Sequence, residues 1–435
     1  MLPTTAPLPG PFPDLVEENL DEASFLWGRW EGELGSLTRN LDEVWSWTED
    51  RLSGAIDGLL VAPDQLLTCV IERALSLKDL AYHTVAAHLL TVATASGARA
   101  RLATIMCEAH GASLAAMLRG TEVARLDGTF STVARALLRR GPEHCAALAR
   151  LKSFQRAALG DELQAAYEAN TVPEQVAVLR AAGSLPEPAV TPWIDRGLTH
   201  PNPAVRIAAV ESGIRQRQRR AWEAARESVA SAEPWSPSLL RLIAIFGKAP
   251  DHRIVHDAVS DPASARCALW ALGHIGTREA VEHCLGAMQD PARARLAGEA
   301  YASITGADLT RERLTAHESG ATPSLPPIEE DNLDADLVPR REDLWPLPDP
   351  AACAAHWSRV GTRFAPNTRY VRGTPFGVNV LMAALESGPM LRRSDYALEL
   401  YVRTGGGCDV ETRAAGPTQR RMMAAARARL GELGR

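Results

Sequence analysis

Between residues 166 and 310 the apolar positions recur in blocks at helical spacing, and each block closes on a glycine. The phrase reads PEQVAVLRAAG (173–183), PNPAVRIAAVESG (201–213), WSPSLLRLIAIFG (235–247), DPASARCALWALG (261–273) and DPARARLAGEAYASITG (290–306). Gly183, Gly213, Gly247, Gly273 and Gly306 are separated by 30, 34, 26 and 33 residues. A period of that size marks stacked helical pairs, each burying its apolar face against its neighbours. In the fourth block Asp261 and Pro262 predict a helix start, because an aspartate accepts from open first-turn N–H groups and proline wastes none. Ala265, Ala268, Leu269 and Leu272 share one face, and Gly273 predicts a left-handed stop. Residues 277–288, with Ala280, Val281, Cys284, Leu285 and Met288 on one side, form the antiparallel partner. Helices are thus expected to begin near Pro203, Pro237, Pro262 and Pro291, with second helices at 186–198, 217–229, 253–260 and 277–288. Arg206, Arg266 and Arg295 recur at matching positions and are expected to bond acids or carbonyls of the neighbouring repeat.

Elsewhere the helical period is looser. Helices are expected at 15–35 and 41–62, where Trp27, Trp30, Trp45 and Trp47 place four of the ten tryptophans before residue 50. Such aromatic density reads as a cap on the first repeat, with an exposed contact patch as the alternative. Residues 75–95, 98–109, 114–118 and 133–138 read as degenerate hairpins of the same stack. After Gly306 come Pro323, Pro326, Pro327, Pro339, Pro346 and Pro348 with the acidic run Glu329-Glu330-Asp331, which excludes a packed helix. Periodicity returns at 351–360, 378–385, 394–402 and 418–433, around a turn-rich stretch at 363–377. Arg392, Arg393, Arg413, Arg420, Arg421, Arg427 and Arg429 read as a solvated basic face, with an acidic-partner site as the alternative. The expected fold is all-α, a HEAT-like helical-hairpin solenoid. Its segments are a flexible 1–14, an N-terminal helical region 15–165, the repeats 166–310, a Pro-rich linker or strap 311–349 and a C-terminal helical region 350–435.

Composition narrows the class. Hydrophobic residues make up 46% of the chain and aromatics 5%, enough for a large core and biased toward helix. A formal charge of −6 argues against a nucleic-acid binder. The seven cysteines are scattered with no C-x-x-C pair, the pattern of reduced thiols in a cytosolic protein. No apolar run approaches the roughly 18 residues of a membrane helix. The first residues have no basic segment before an apolar one, so no secretory signal is expected. The expected location is cytoplasmic, with no membrane contact.

The sequence assembles no reaction centre. Phosphate-loop, zincin and nucleophile-elbow motifs are absent. His252 and His256 stand at i, i+4 near Asp251, Asp257, His274 and His283, and they read as packing residues rather than metal ligands. Cys267 and Cys284, near those histidines, fall on core faces and do not read as nucleophiles. No catalytic, cofactor or metal residues are therefore expected. The candidate partner-binding residues are Arg215, Arg217, Arg219, Arg220, Trp222 and Arg226. Arginine and tryptophan dominate binding hot spots, and clustered here they would grip an acidic segment. The competing reading is a solvated helix whose arginine stems cover its neighbours.

The order of features resembles one family. An aromatic-rich N-terminal segment precedes HEAT-like repeats that close on Ser303-Ile304-Thr305-Gly306. A proline-rich strap then leads to DLWPLPDP (343–350), Trp357, RYVRGTPFG (369–377) and RRSDYALELYV (392–402). This is similar to an uncharacterised proteobacterial family of HEAT-like proteins whose genes accompany type VI secretion clusters. The resemblance implies a non-enzymatic accessory or adaptor protein for secretion cargo, effector or spike components, and it carries over no catalytic residues. The alternatives are a lyase-like HEAT-repeat enzyme, centred on His252, His256 and Asp257, and a toxin-binding immunity or regulatory protein.

Overall fold

The structure is a computed structural model that describes residues 13–95, 97–124, 130–157, 171–184, 190–233, 236–316, 341–432 and 434. The N-terminal lead-in up to residue 12, strap residues 317–340 and the start of the 186–198 helix lie outside them. The chain divides into two units, residues 1–224 with 382–435, and residues 225–381. The region expected as one C-terminal piece, 350–435, therefore contributes to both.

In the first unit, helices Leu80–Val92, Gly111–Val123, Pro142–Phe154, Val172–Gly183 and Pro203–Arg215 pack in succession, each on the next. Between them run Ala98–Glu108, Phe130–Leu138 and Thr191–Leu198, and the first two of these pack on each other as an outer row. In the second unit Leu240–Phe246, Ala265–Ile275 and Pro291–Thr305 stack in the same alternating way. This is the expected all-α helical-repeat fold, and among the described residues of 166–310 there is no strand.

The glycines do something other than expected. Of the five closing glycines only Gly306 is left-handed, at φ 77°. Gly183 and Gly213 lie within their helices, and Gly247 is extended at φ −73°. Gly273 is buried inside helix Ala265–Ile275, which stops instead at the left-handed Gly276. What Gly183 and Gly213 provide is room. A Cβ on Gly183 would stand 2.7 Å from the Ser212 Cα, and one on Gly213 would stand 2.4 Å from the Ala221 Cβ. The same holds at Gly120, where a Cβ would meet the Thr84 carbonyl oxygen at 2.1 Å.

Helix starts also shift. Pro203 and Pro291 open helices as expected, each beside an Asn202 or Asp290 side chain that accepts a first-turn N–H. Pro237 falls in a 3-10 turn, and Pro262 in a turn where the Asp261 carbonyl takes the N–H groups of Ser264 and Ala265, so those helices begin at Leu240 and Ala265. The 75–95 stretch is two helices, because the Asp79 carboxylate accepts from Ala81 N at 2.9 Å and starts a new one at Leu80.

The repeat-locked arginines bond their own turn or the strap. Arg206 donates to the His200 carbonyl of its own preceding turn at 3.0 Å. Arg266 pairs with Glu342, and Arg295 donates to the Trp345 carbonyl. In the second unit these arginines therefore fasten the end of the strap.

The turn-rich 363–377 stretch contains a two-stranded hairpin, Tyr370–Val371 with Thr374–Pro375. Its backbone binds two helix ends. Tyr370 N donates to Gly276 O at 2.8 Å, Arg372 N to Ser303 O at 2.8 Å and Gly373 N to Ile304 O at 2.7 Å. Helix C-termini leave carbonyls open, and here the hairpin amides fill them. Gly276 and Gly306 serve both needs, since a Cβ on either would lie within 2.6 Å of a hairpin carbonyl.

In the first unit residues from 382 onward pack on the N-terminal helices. Met390 N donates to Arg39 O at 2.9 Å and Leu391 N to Ser36 O at 3.0 Å. The basic tail is not simply a solvated face. Arg393 is fully buried, donating to Leu385 O at 2.8 Å and to the Gln419 Oε1 at 2.5 Å beside the sulfurs of Met390 and Met423. Arg413 and Arg420 pair with Glu31 and Asp42.

Two glycine substitutions should separate close approach from helix propensity. Gly120→Ala should lower stability by about 1–3 kcal/mol, as overpacking against backbone does. Gly286→Ala, where a Cβ meets nothing within 4 Å, should raise it by about 0.5–1 kcal/mol. Denaturant melts of both variants against the parent check the pair.

Candidate functional site

The arginine-rich stretch is largely satisfied from within. Arg215 ends helix Pro203–Arg215, pairs with Asp409 at 3.2 Å and lies 4.3 Å above the Tyr401 ring. Asp409 also receives Arg156 at 2.9 Å. Arg217 occupies the turn before the next helix with φ 59°. Arg219 pairs with Glu223 at 2.6 Å, Arg220 with Asp195 at 3.1 Å and Arg226 with Asp251 at 2.7 Å. Trp222 is half-buried. Arg215 is thus committed to holding the tail segment. Arg219 and Arg220, with side chains 87% and 73% exposed, form surface pairs worth about 0–1 kcal/mol that a partner would readily displace.

The better-formed site lies among the N-terminal tryptophans. Helix Pro13–Glu33 brings Trp27 and Trp30 inside, where their rings meet edge to face at 5.8 Å. The next helical stretch contains one π-turn, Trp45–Glu49, inserted between Leu41–Val44 and Asp50–Leu60. Such turns are rare and collect at functional sites, because the extra residue re-aims side chains. Here Trp45 and Glu49 both line a cavity of about 260 Å³. Its other walls are Trp27, Trp30, Leu52, Ile56, Leu60, His88, Val92 and Val123, with Ser53 and Asp57 bordering it and Ala415 and Pro417 from the tail.

Glu49 is the chemical centre of this cavity. Its carboxylate accepts from Trp30 Nε1 at 3.1 Å and from Gly416 N at 2.6 Å. Burial nevertheless pushes its pKa up to about 7, outweighing those donors and the attraction of Arg420 and Arg119. His88 donates from Nδ1 to the Gly120 carbonyl at 3.0 Å, and burial pulls its pKa down to about 4. Trp27 Nε1 is buried with no hydrogen-bond partner among the described residues. Trp47 faces outward, 61% exposed. Trp27 and Trp30 are thus buried while Trp47 is exposed.

Among the described residues two histidine clusters could hold a metal ion. In the second unit His256, Glu279 and His283 bring ligand atoms within 4.8 Å of one another, and in the first unit His110, Glu143 and His144 do the same. The His256 and His283 rings lie 4.6 Å apart, tilted by 32°, and burial depresses the His256 pKa. Glu143 is already occupied by His110 and by Gly111 N at 2.7 Å. The structure thus joins His256 to His283 through Glu279 rather than to Asp257, which is exposed. The i, i+4 spacing of Glu279 and His283 was the sequence signal for this grouping.

The protonation of Glu49 has a stability consequence. A carboxyl held at about 7 in the folded chain rather than at 4.5 binds its proton more tightly folded than unfolded. Stability is therefore full near pH 4.5 and falls as pH rises to 7, by on the order of 3 kcal/mol. Glu49→Gln should flatten that slope in pH-dependent thermal melts, whatever it does to absolute stability. Asp409→Ala, which removes the carboxylate shared by Arg156 and Arg215 and leaves Arg156 to Glu411, should cost about 1–3 kcal/mol in denaturant melts.

No protein-family profile, no curated protein and no solved structure matches this chain.

Proposed function

We propose that the chain is a non-enzymatic, cytoplasmic scaffold that binds a protein partner. The observation that supports this is where apolar side chains stay in water. Among the described residues Leu15, Phe25, Trp47, Val61 and Leu80 are exposed large hydrophobics, all within the first helices, and beyond them there is Leu344. Exposed aromatic groups concentrated at one end of a helical stack suit a partner that covers them, since arrays of this kind present extended binding surfaces. Arg219 and Arg220 add displaceable charge for an acidic segment. The absence of a membrane-length apolar helix among the described residues agrees with this reading.

The finer reading rests on the resemblance of the closing repeat and the C-terminal phrases. On that basis the partner is a type VI secretion effector, spike or adaptor protein, and the chain is an accessory that engages it before export. Affinity capture with the tagged chain from its native host, under secreting conditions, should recover one of these classes. A Phe25→Ser, Trp47→Ser variant with unchanged melting should lose at least about tenfold in capture. Equal capture by the variant would remove the N-terminal surface from the proposal, and recovery of none of these proteins would end the secretion reading.

A further inference from the structure

The tryptophan-lined cavity carries a recognition chemistry that protein scaffolding does not require. Three indoles line it, those of Trp27, Trp30 and Trp45, and two carboxyls border it, Glu49 inside and the exposed Asp57. Aromatic faces gathered near a carboxylate attract cations, above all large and weakly hydrated ones whose desolvation is cheap. These rings already serve that way for the protein. Arg119 sits 5.2 Å from the Trp30 centroid and Arg420 sits 5.2 Å from that of Trp45. Each guanidinium has its own carboxylate, Glu31 for Arg119 and Asp42 for Arg420. Glu49, by contrast, is held by two N–H donors. Its charge is disfavoured by burial, and a cation entering the cavity would restore it.

A second observation fixes part of the ligand. Trp27 is 3% exposed, and its indole N–H has no partner among the described residues. A buried donor left unpaired carries a cost that an incoming acceptor removes. We propose that this cavity binds a quaternary or methylated ammonium ion bearing a neutral oxygen. The head sits among the three indoles, Glu49 supplies the counter-charge, and the oxygen accepts from the Trp27 N–H. A volume of about 260 Å³ admits a compact head with a short tail, and Leu52 and Ile56 give that tail an apolar wall.

The affinity depends on pH through Glu49. The groups that face it come from every neighbouring element. Trp30 belongs to the first helix, His88 to Leu80–Val92, and Arg119 to Gly111–Val123. Gly416 N and Arg420 come from the last helix, and Asp57 from Glu49's own stretch. His88 is neutral throughout the range at issue, since burial holds it at about 4. Arg119 and Arg420 are paired with Glu31 and Asp42. Glu49, held at about 7, changes ionisation between pH 6 and 8.

The test is isothermal titration calorimetry on the full chain with choline as the probe, beside its uncharged isostere 3,3-dimethylbutan-1-ol and tetramethylammonium. Choline should bind saturably at pH 8 and at least about tenfold more tightly than the isostere. Tetramethylammonium, which lacks the oxygen, should bind several-fold more weakly than choline. Between pH 8 and pH 6 choline affinity should fall roughly tenfold, following the ionised fraction of a group near 7. Glu49→Gln should remove that pH dependence. Trp45→Leu, at a half-buried position, should weaken choline at least about fivefold without loss of the folded baseline. Equal affinity for choline and its isostere would overturn the cation assignment, and equal affinity for tetramethylammonium would overturn the role of Trp27. A flat pH profile in the parent chain would remove Glu49 as the counter-charge. Heats of dilution alone for all three probes would refute the site.

Discussion

Two helix backbones approach most closely where no Cβ stands between them, and the stack of the first unit uses that condition. Gly120 against Thr84, Gly183 against Ser212 and Gly213 against Ala221 are the contact points. Close approach then makes polar ties possible across helices. Ser212 Oγ reaches Leu179 O at 2.7 Å, and Gln216 Nε2 reaches Ala182 O at 2.9 Å. Each glycine weakens its own helix by about 0.5–1 kcal/mol. The packing between helices more than offsets this, because dispersion falls off steeply with a gap of even half an ångström.

The period of the repeats was readable because the apolar spacing of 3.6 is imposed residue by residue. Helix ends were harder. A glycine letter stands equally for a left-handed residue and for missing volume, and only three-dimensional neighbours tell the two apart. Gly306 was the first kind, while Gly183 and Gly213 were the second. Arg393 shows the same limit for charge. It sits in a run of arginines that looks solvated, yet Gln419 and the Leu385 carbonyl give it a buried pocket of acceptors. Nothing local in the sequence announces a partner 26 residues away.

The cavity was half legible. Tryptophan density before residue 50 marked the segment that holds it. Two features were out of reach. The π-turn at Trp45–Glu49 breaks the spacing used to assign faces, so Trp45 turns in while Trp47, two residues on, turns out. The other wall comes from Ala415 and Pro417, with Gly416 donating to Glu49 across 367 residues of sequence. Closing a loop of that length adds only slowly to the entropy cost, so the fold tolerates it, but no window along the chain contains it.

The hairpin at 370–375 gives the second unit a mechanical property. Helical arrays bend because small rotations between successive pairs add up along the stack. Here one rigid turn is bonded to the ends of two successive stacked helices, at Gly276 and at Ser303–Ile304. The distance between those ends is thereby set by the span of a few hairpin residues, not by side-chain packing alone. Bending at that joint would break several backbone bonds together, so this part of the array acts as a strut while flexure is left to joints without such a brace.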